Sequence, residues 1–125
     1  MALYPCAYSM TFNVSGNRLN AILNQRSQDM LTANNWNVVQ YSILLMMFAQ
    51  ASGLMPGQLV HVISDAHIYN KHVPVIEEII KRPQYPAPKV KLNPEVKDFY
   101  DFTTADIIVE DYQTNPQILN IPIAI

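Results

Sequence analysis

This sequence of 125 residues has one cysteine, three glycines and few charges. A single cysteine excludes an internal disulfide and favours a reducing compartment. The three glycines lie far apart, which excludes a glycine-rich phosphate loop. The longest apolar run, Ile43 to Ala49, is far too short to span a bilayer. No charged leader precedes an apolar stretch at the N-terminus, so we expect no signal peptide and a cytoplasmic protein.

The charge of the chain excludes two classes of partner. Only 14% of the residues are charged and the net charge is −2, which predicts no general attraction to DNA or to an anionic membrane. Half of the residues are hydrophobic, a high share for one small domain. A chain of this composition either buries an unusual share of itself or has an apolar surface that a partner covers.

The N-terminal part of the sequence predicts a β-hairpin. Apolar and polar residues alternate over 6–14 and again over 18–26, with the turn signal Ser15-Gly16-Asn17 between them. If these three residues form the loop, Cys6 faces Arg26; a two-residue loop shifts the pairing by one position, and a bulge shifts it again. Directly opposed side chains have Cβ atoms roughly 4.5–5.5 Å apart. The hairpin can therefore put a guanidinium beside the thiol, where a fixed cation favours the thiolate.

The middle of the chain predicts a helix between strands. Residues 36–51 are apolar nearly all the way round, which predicts a long helix buried on most sides. Residues 58–64 are rich in β-branched side chains and predict a central strand. If that strand continues through DAHIY at 65–69, Asp65, His67 and Tyr69 project from one face.

The C-terminal part predicts a second helix and then mostly irregular chain. Residues 73–82 are amphipathic and Pro83 follows them, which predicts a helix that stops there. Residues 89–92 and 107–110 predict short extended pieces. The apolar C-terminus, ILNIPIAI, is expected to dock on the rest of the molecule.

Cys6 and the residues around position 26 carry the first candidate chemistry. A lone cysteine in a strand is most often a small buried hydrophobe, and a nucleophile is the rarer alternative. Arg26 and Ser27 offer a bidentate donor and a hydroxyl, which suits an anion. The plainer interpretation of both is a strand end with solvated side chains.

Polar residues on later segments favour a nucleotide over a metal. Asn37 lies inside the apolar helix, where its amide can recognise a pyrimidine base because it offers a donor and an acceptor; helix capping is the usual role of asparagines nearby. His67 and Tyr69 suit a sugar hydroxyl or a phosphate, or equally form a half-buried pair. His61, His67 and His72 match no zinc spacing, so we expect no metal.

Five short motifs together resemble one known family. In order and spacing, the sequence is similar to thymidylate synthase at PC (5–6), QRSQD (25–29), Asn37, DAHIY (65–69) and the terminal IPIAI. The resemblance is to the C-terminal portion of that enzyme, roughly its second half, and the longer synthases of Gram-positive bacteria and their phages look closest. It implies that residues 1–125 form one domain portion of α+β class, with a mixed β-sheet and a long buried helix, whose N-terminal part is missing.

The resemblance also implies a reaction, the reductive methylation of dUMP by 5,10-methylenetetrahydrofolate to give dTMP and dihydrofolate. Cys6 would be the catalytic nucleophile that adds to C6 of the uracil ring. The residues implied to bind dUMP are Arg26, Ser27, Asp29, Asn37, His67 and Tyr69. Those implied to bind the folate are Asp29 and Ala124, the latter in a C-terminal segment that closes over the site.

Partners and alternatives follow from the same resemblance. The family dimerises by packing sheets back to back, so we expect a homodimer or a larger assembly. Its N-terminal half supplies a catalytic glutamate and phosphate-binding arginines, so the resemblance implies that this half either forms a separate chain that completes the enzyme or has been removed from this one. The alternatives are an inactive truncated relative that acts only as a folded binding or association module, and a deoxyuridylate hydroxymethylase. A relative that hydroxymethylates dCMP carries an acidic residue where Asn37 stands, so Asn37 favours uracil.

Overall fold

The computed structural model describes residues 4–123 of the chain. Its strands and helices are, in order, β1 (Ala7–Ser15), β2 (Arg18–Gln25), β3 (Gln28–Asp29), α1 (Asn34–Ala51), β4 (Met55–Ile63), β5 (Ala66–His67), α2 (Val73–Ile79), β6 (Lys89–Leu92) and β7 (Ile107–Glu110). Three short 3-10 helices lie at Asn70–His72, Phe99–Asp101 and Thr104–Asp106. None of the helices between residues 4 and 123 is long and apolar enough to cross a membrane.

The main sheet has the strand order β1-β2-β4. β1 and β2 are antiparallel, whereas β2 and β4 are parallel. The predicted α+β class with a mixed sheet is therefore confirmed. Within the described residues β4 lies at the edge and β2 at the centre, the reverse of the prediction for residues 58–64. The hairpin joins β1 to one side of β2, and the crossover through α1 returns the chain on the other side.

The hairpin pairs Cys6 with Arg26 by a different route from the simplest prediction. The loop has two residues, Gly16 and Asn17, so that Val14 pairs with Leu19. Gly16 adopts a φ of 61°, a left-handed conformation that suits a glycine in a tight hairpin turn. A bulge between Ala7 and Ser9 then shifts the register back by one residue. The amide of Arg26 accordingly donates to the Cys6 carbonyl at 2.8 Å, as the sequence predicted.

Helix α1 packs one face on the sheet. Leu45 and Ala49 are buried against Leu19 and Ala21 of β2. The long apolar helix is confirmed, and its residues 41–51 are half-buried or buried. Its N-terminal turns are less covered by residues 4–123: Trp36 is 79% exposed and Val39 is 55% exposed. An apolar surface of this kind is typical of a face that belongs in an interface.

The C-terminal part of the chain docks on α2 and the turn after it. Arg82 donates to the Pro116 carbonyl at 2.7 Å, and Asn115 donates to the Pro83 carbonyl at 3.0 Å. α2 itself ends at Ile79, three residues before the predicted end at residue 82. β6 and β7 pair as an antiparallel ladder over the two predicted extended pieces. In the apolar segment predicted to dock, Pro122 accepts a hydrogen bond from His72 at 2.8 Å, which supports docking of its described part. Residues 124–125 of that segment lie outside the described residues.

Candidate active site

The candidate site lies where the parallel strands β2 and β4 end. The amide of Ser64, just after β4, donates to the carbonyl of Gln25, the last residue of β2, at 3.0 Å. Arg26 follows Gln25 and is bonded through its backbone to Cys6. Because parallel strands have their C-terminal ends on the same side of a sheet, Cys6, Arg26 and the segment after β4 lie together at that end of the sheet.

The QRSQD and DAHIY motifs pair directly with each other. β3 and β5 are parallel, with Gln28 opposite Ala66 and Asp29 opposite His67. The Gln28 amide donates to the Asp65 carbonyl at 2.9 Å. The interpretation in which β4 continues through residues 65–69 is wrong, because β4 ends at Ile63 where its partner β2 also ends. Beyond that point the chain pairs with β3, which no local pattern reveals.

Arg26 is fixed beside the segment that carries the thiol. Its Nε donates to the Pro5 carbonyl at 3.2 Å, and its Nη2 donates to the Tyr4 carbonyl at 2.5 Å. Cys6 is exposed, so its thiol is accessible to a ligand. The guanidinium retains further N–H donors that suit a phosphate. Ser27 follows directly and is half-buried.

A buried amide network, which the sequence interpretation missed, lies under this edge. Gln25 and Gln28 are each 1% exposed, and the Nε2 of Gln25 donates to the Oε1 of Gln28. The Oε1 of Gln25 bonds the Nε2 of His61 at 3.0 Å. Burial lowers the pKa of His61, because it disfavours the charged imidazole. The alternation of β2 could have indicated this network. Gln25 continues the inward-facing series of Leu19, Ala21 and Leu23, and a polar residue on a buried face needs hydrogen-bond partners.

This network orients the side chain of Asn37. The Nε2 of Gln25 also donates to the Ser27 carbonyl at 2.8 Å, and a backbone carbonyl only accepts. That contact fixes which end of the Gln25 amide faces the site. The same Nε2 meets the Oδ1 of Asn37 at 3.3 Å, so the Nδ2 of Asn37 points elsewhere as a donor.

The Asp29 carboxylate is held by the turn that leads into α1. It accepts from the backbone amide of Leu31 at 2.9 Å and from the hydroxyl of Thr32 at 2.6 Å. Burial raises the pKa of this carboxyl, but the hydrogen bonds from Thr32 and Leu31, together with His72, outweigh it. The pKa of Asp29 therefore lies below its ordinary value, and Asp29 is ionised at neutral pH.

We expect this carboxylate to make stability depend on pH. A carboxyl whose pKa is lowered by folding stabilises the native state above its unfolded pKa, and that contribution disappears as the pH falls through the folded pKa. Asp29→Asn should therefore lower the free energy of unfolding at about pH 5 more than at about pH 3. Urea unfolding of the native chain and of Asp29→Asn at several pH values measures the difference between their free energies of unfolding. The other carboxylates contribute equally to both proteins and cancel in this difference. A gap that stays constant across this range would contradict the assignment.

His67 and Tyr69 meet as predicted, although on β5 and the residue that precedes a 3-10 helix. Their rings contact edge to face with centroids 5.0 Å apart. The Nδ1 of His67 lies 3.3 Å from a carboxylate oxygen of Asp65. Both rings are half-buried. The predicted folate residue Ala124 lies outside the described residues.

His72 is a second buried residue that the sequence interpretation did not assign. It is 2% exposed, and its Nε2 donates to the Pro122 carbonyl at 2.8 Å. No group of three or more His, Cys, Asp or Glu side chains within residues 4–123 is arranged to hold a metal ion.

Comparisons with known proteins agree on one family. The family model described as Thymidylate synthase matches residues 1–125. Thymidylate synthase from Bacillus licheniformis is 42% identical over 113 residues, which are 90% of this chain and 40% of that protein. The bifunctional dihydrofolate reductase-thymidylate synthase from Plasmodium chabaudi is 40% identical over 118 residues, 94% of this chain and 20% of that protein.

A solved structure extends the likeness to the fold. Thermostable thymidylate synthase A from Bacillus subtilis superposes with a TM-score of 0.93 at 38% identity, covering 98% of this chain and 44% of that one. This chain thus spans between about a fifth and about half of the length of the proteins it matches.

Proposed function

This chain belongs to the thymidylate synthase family, and from that premise we propose that it forms the nucleophile-bearing part of a thymidylate synthase. The proposed reaction is the reductive methylation of dUMP to dTMP, with 5,10-methylenetetrahydrofolate as co-substrate. A free thiol at Cys6 fits this proposal, which includes a cytoplasmic location.

One observation carries the proposal. The Cys6–Arg26 backbone pair lies at the end of the main sheet, and the separate β3–β5 pair begins directly beyond that end. The PC, QRSQD and DAHIY motifs therefore meet there, although the first and last are about sixty residues apart in the chain. Asn37 joins them through Gln25. A merely structural strand end would not require a nucleophile, an anion-binding pair and an oriented amide at one place.

The proposed chemistry begins at the thiol. The Cys6 thiolate adds to C6 of the uracil ring and pushes an electron pair into an enolate at O4. C5 then attacks the one-carbon unit of the folate. After C5 loses its proton, the folate leaves and returns a hydride to the new carbon, which gives the methyl group and dihydrofolate. Elimination of the thiolate from C6 releases dTMP.

The other polar residues of the edge would hold the substrates. Arg26 and Ser27 suit the phosphate, because a guanidinium and a hydroxyl both donate to phosphate oxygens. His67 and Tyr69 would hold the 3′-hydroxyl of the sugar. Asp29, which is ionised and lies opposite His67, would accept hydrogen bonds from the folate pterin and from the uracil region.

The proposal includes the rest of the family's domain as a partner. Trp36 and Val39 on α1 and Tyr8 on β1 are exposed, and they would be covered by the N-terminal half that longer relatives carry. A homodimer is proposed through the other face of the sheet, where Ile22 and Val60 are 44% and 49% exposed.

Reconstitution tests the proposed function. We expect that this chain, mixed with the complementary N-terminal part of Bacillus subtilis thymidylate synthase A, releases tritium from [5-³H]dUMP when the folate co-substrate is present. Each part alone serves as the control. Complementation that yields a stable complex without tritium release would overturn the proposal and favour the inactive association module.

A further prediction concerns the base. Uracil presents an acceptor at O4 and a donor at N3, whereas cytosine reverses both, so the Nδ2 donor and Oδ1 acceptor of Asn37 match uracil. Asn37→Asp in the reconstituted enzyme is expected to lower kcat/KM for dUMP by roughly 10²-fold. Substrate competition between dUMP and dCMP measures the change in preference. An unchanged preference would remove Asn37 from base recognition.

A further inference from the structure

His72 is a buried imidazole with one hydrogen bond. Its Nε2 donates to the Pro122 carbonyl at 2.8 Å, while its Nδ1 has no hydrogen-bond partner among the described residues. A carbonyl oxygen only accepts, so Nε2 carries a proton. If this contact were lost, both ring nitrogens would be buried without a hydrogen bond. The bond to Pro122 is therefore the contact that fixes the position of the His72 ring.

The same ring touches two residues of the candidate site. Its Nδ1 lies 3.9 Å from the Oδ2 of Asp29, and its edge faces the ring of Tyr69 with centroids 5.6 Å apart. One side chain therefore links a residue proposed to bind the folate, a residue proposed to bind the sugar, and the C-terminal segment.

The C-terminal segment has few other attachments near its end. Arg82 and Asn115 hold its beginning, through Pro116 and Pro83. Over residues 117–123, the His72 bond is the only hydrogen bond formed with a side chain elsewhere in the described structure. Leu119 is 71% exposed there. An open groove of about 550 Å³ runs along the segment, lined in part by Leu31 and Ile121.

We propose that His72 is a positioning residue that holds the C-terminal segment against the folate side of the site. The half of this inference that concerns folate rests on the proposed function. The half that concerns anchoring stands on the contacts of His72 alone. The ring acts through the segment and through Asp29, and it is 2% exposed, so it is not a direct ligand contact.

Two conservative substitutions separate anchoring from general structure. The amide nitrogen of glutamine reaches about as far as Nε2 of histidine, whereas that of asparagine reaches only as far as Nδ1. His72→Gln should keep the bond to Pro122, and His72→Asn should lose it. If His72 served only as a buried polar group, the two variants should behave alike.

Limited proteolysis of this chain measures the anchoring. We expect chymotrypsin to cleave after Leu119 roughly tenfold faster in His72→Asn, the factor that losing one buried hydrogen bond corresponds to, and at the native rate in His72→Gln. Arg82→Gln, which loosens the segment at Pro116, is the comparison for a distant attachment. Thermal unfolding shows whether each variant is folded. Equal cleavage of folded Asn and Gln variants would overturn the inference, and if His72→Asn does not fold, the Gln variant must still match the native rate.

The folate half of the inference needs the reconstituted enzyme. His72→Asn is expected to raise KM for 5,10-methylenetetrahydrofolate roughly tenfold and to raise KM for dUMP by less, because only the folate also depends on the C-terminal segment; His72→Gln should restore both native values. Equal increases in both KM values would overturn it. If the native parts show no turnover at all, the proposed function fails, and the proteolysis result decides on the anchoring by itself.

Discussion

Cys6→Ser is expected to lower tritium release from [5-³H]dUMP at least about 10³-fold in the reconstituted enzyme. A serine hydroxyl is almost un-ionised at neutral pH, and it is a weaker nucleophile toward an electron-poor carbon than a thiolate. Cys6 is exposed and lies just before β1, so the exchange of sulfur for oxygen removes little packing. The loss should therefore appear in turnover while the binding of dUMP and the free energy of unfolding stay near their native values.

A neighbouring variant provides the control for this result. Tyr8→Phe lies two residues away, in the bulge of β1, and removes only a hydroxyl, so the ring that is proposed to contact the N-terminal half stays in place. It should retain turnover within a few-fold of the native value. If Cys6→Ser keeps more than a tenth of the native rate of tritium release, Cys6 is not the nucleophile, even if the reconstituted enzyme is active.

Gln25→Leu is expected to lower the free energy of unfolding by about 3 kcal/mol. The leucine is similar in size, but it leaves the Nε2 of His61, the Ser27 carbonyl and the Oδ1 of Asn37 without their buried partner. Partly satisfied buried networks are less stable than fully satisfied ones, because each group has already lost its contact with water. Urea unfolding of the isolated chain measures the change.

The same substitution is expected to weaken dUMP binding, since Asn37 loses the contact that orients its amide. Gln50→Leu is the matched control, because Gln50 also donates to two backbone carbonyls, those of Asn93 and Val96, at 2.8 and 2.7 Å, yet far from the site. It should lower stability without a specific effect on KM for dUMP. If Gln25→Leu is as stable as the native chain, the network does not support this edge of the sheet.

Local patterns predicted the parts of this molecule that neighbours in sequence decide. The alternation of residues 6–14 and 18–26 predicted the hairpin, and the pairing of Cys6 with Arg26 followed from it. Of the alternatives that the sequence left open, the structure has the two-residue loop, and the bulge at Tyr8 then shifts the register back so that Cys6 still pairs with Arg26. β6 and β7 were visible in advance for the same reason, as short extended runs between prolines.

Contacts between distant segments were not visible in this way. Nothing in QRSQD or DAHIY indicates that Asp29 lies opposite His67, since parallel pairing depends on where the crossover through α1 returns the chain. The Gln25 network has the same origin, because His61 and Asn37 come from β4 and α1. The exposed faces of α1 also differ from what its composition suggests, because a helix that is apolar all round specifies burial but not the partner that provides it.

The pairing of β3 with β5 has a consequence for the order in which the molecule folds. The β1–β2 hairpin closes a two-residue loop and is available early, whereas Gln28 and Ala66 meet only after the whole of α1 and β4 has been ordered between them. Joining segments so far apart in the chain costs conformational entropy, and the contacts offset this cost only once they have formed. We therefore expect Cys6, the proposed nucleophile, to lie beside Arg26 before the residues proposed to hold the sugar are in place. Ligand affinity should then mark a late stage of folding rather than an early one.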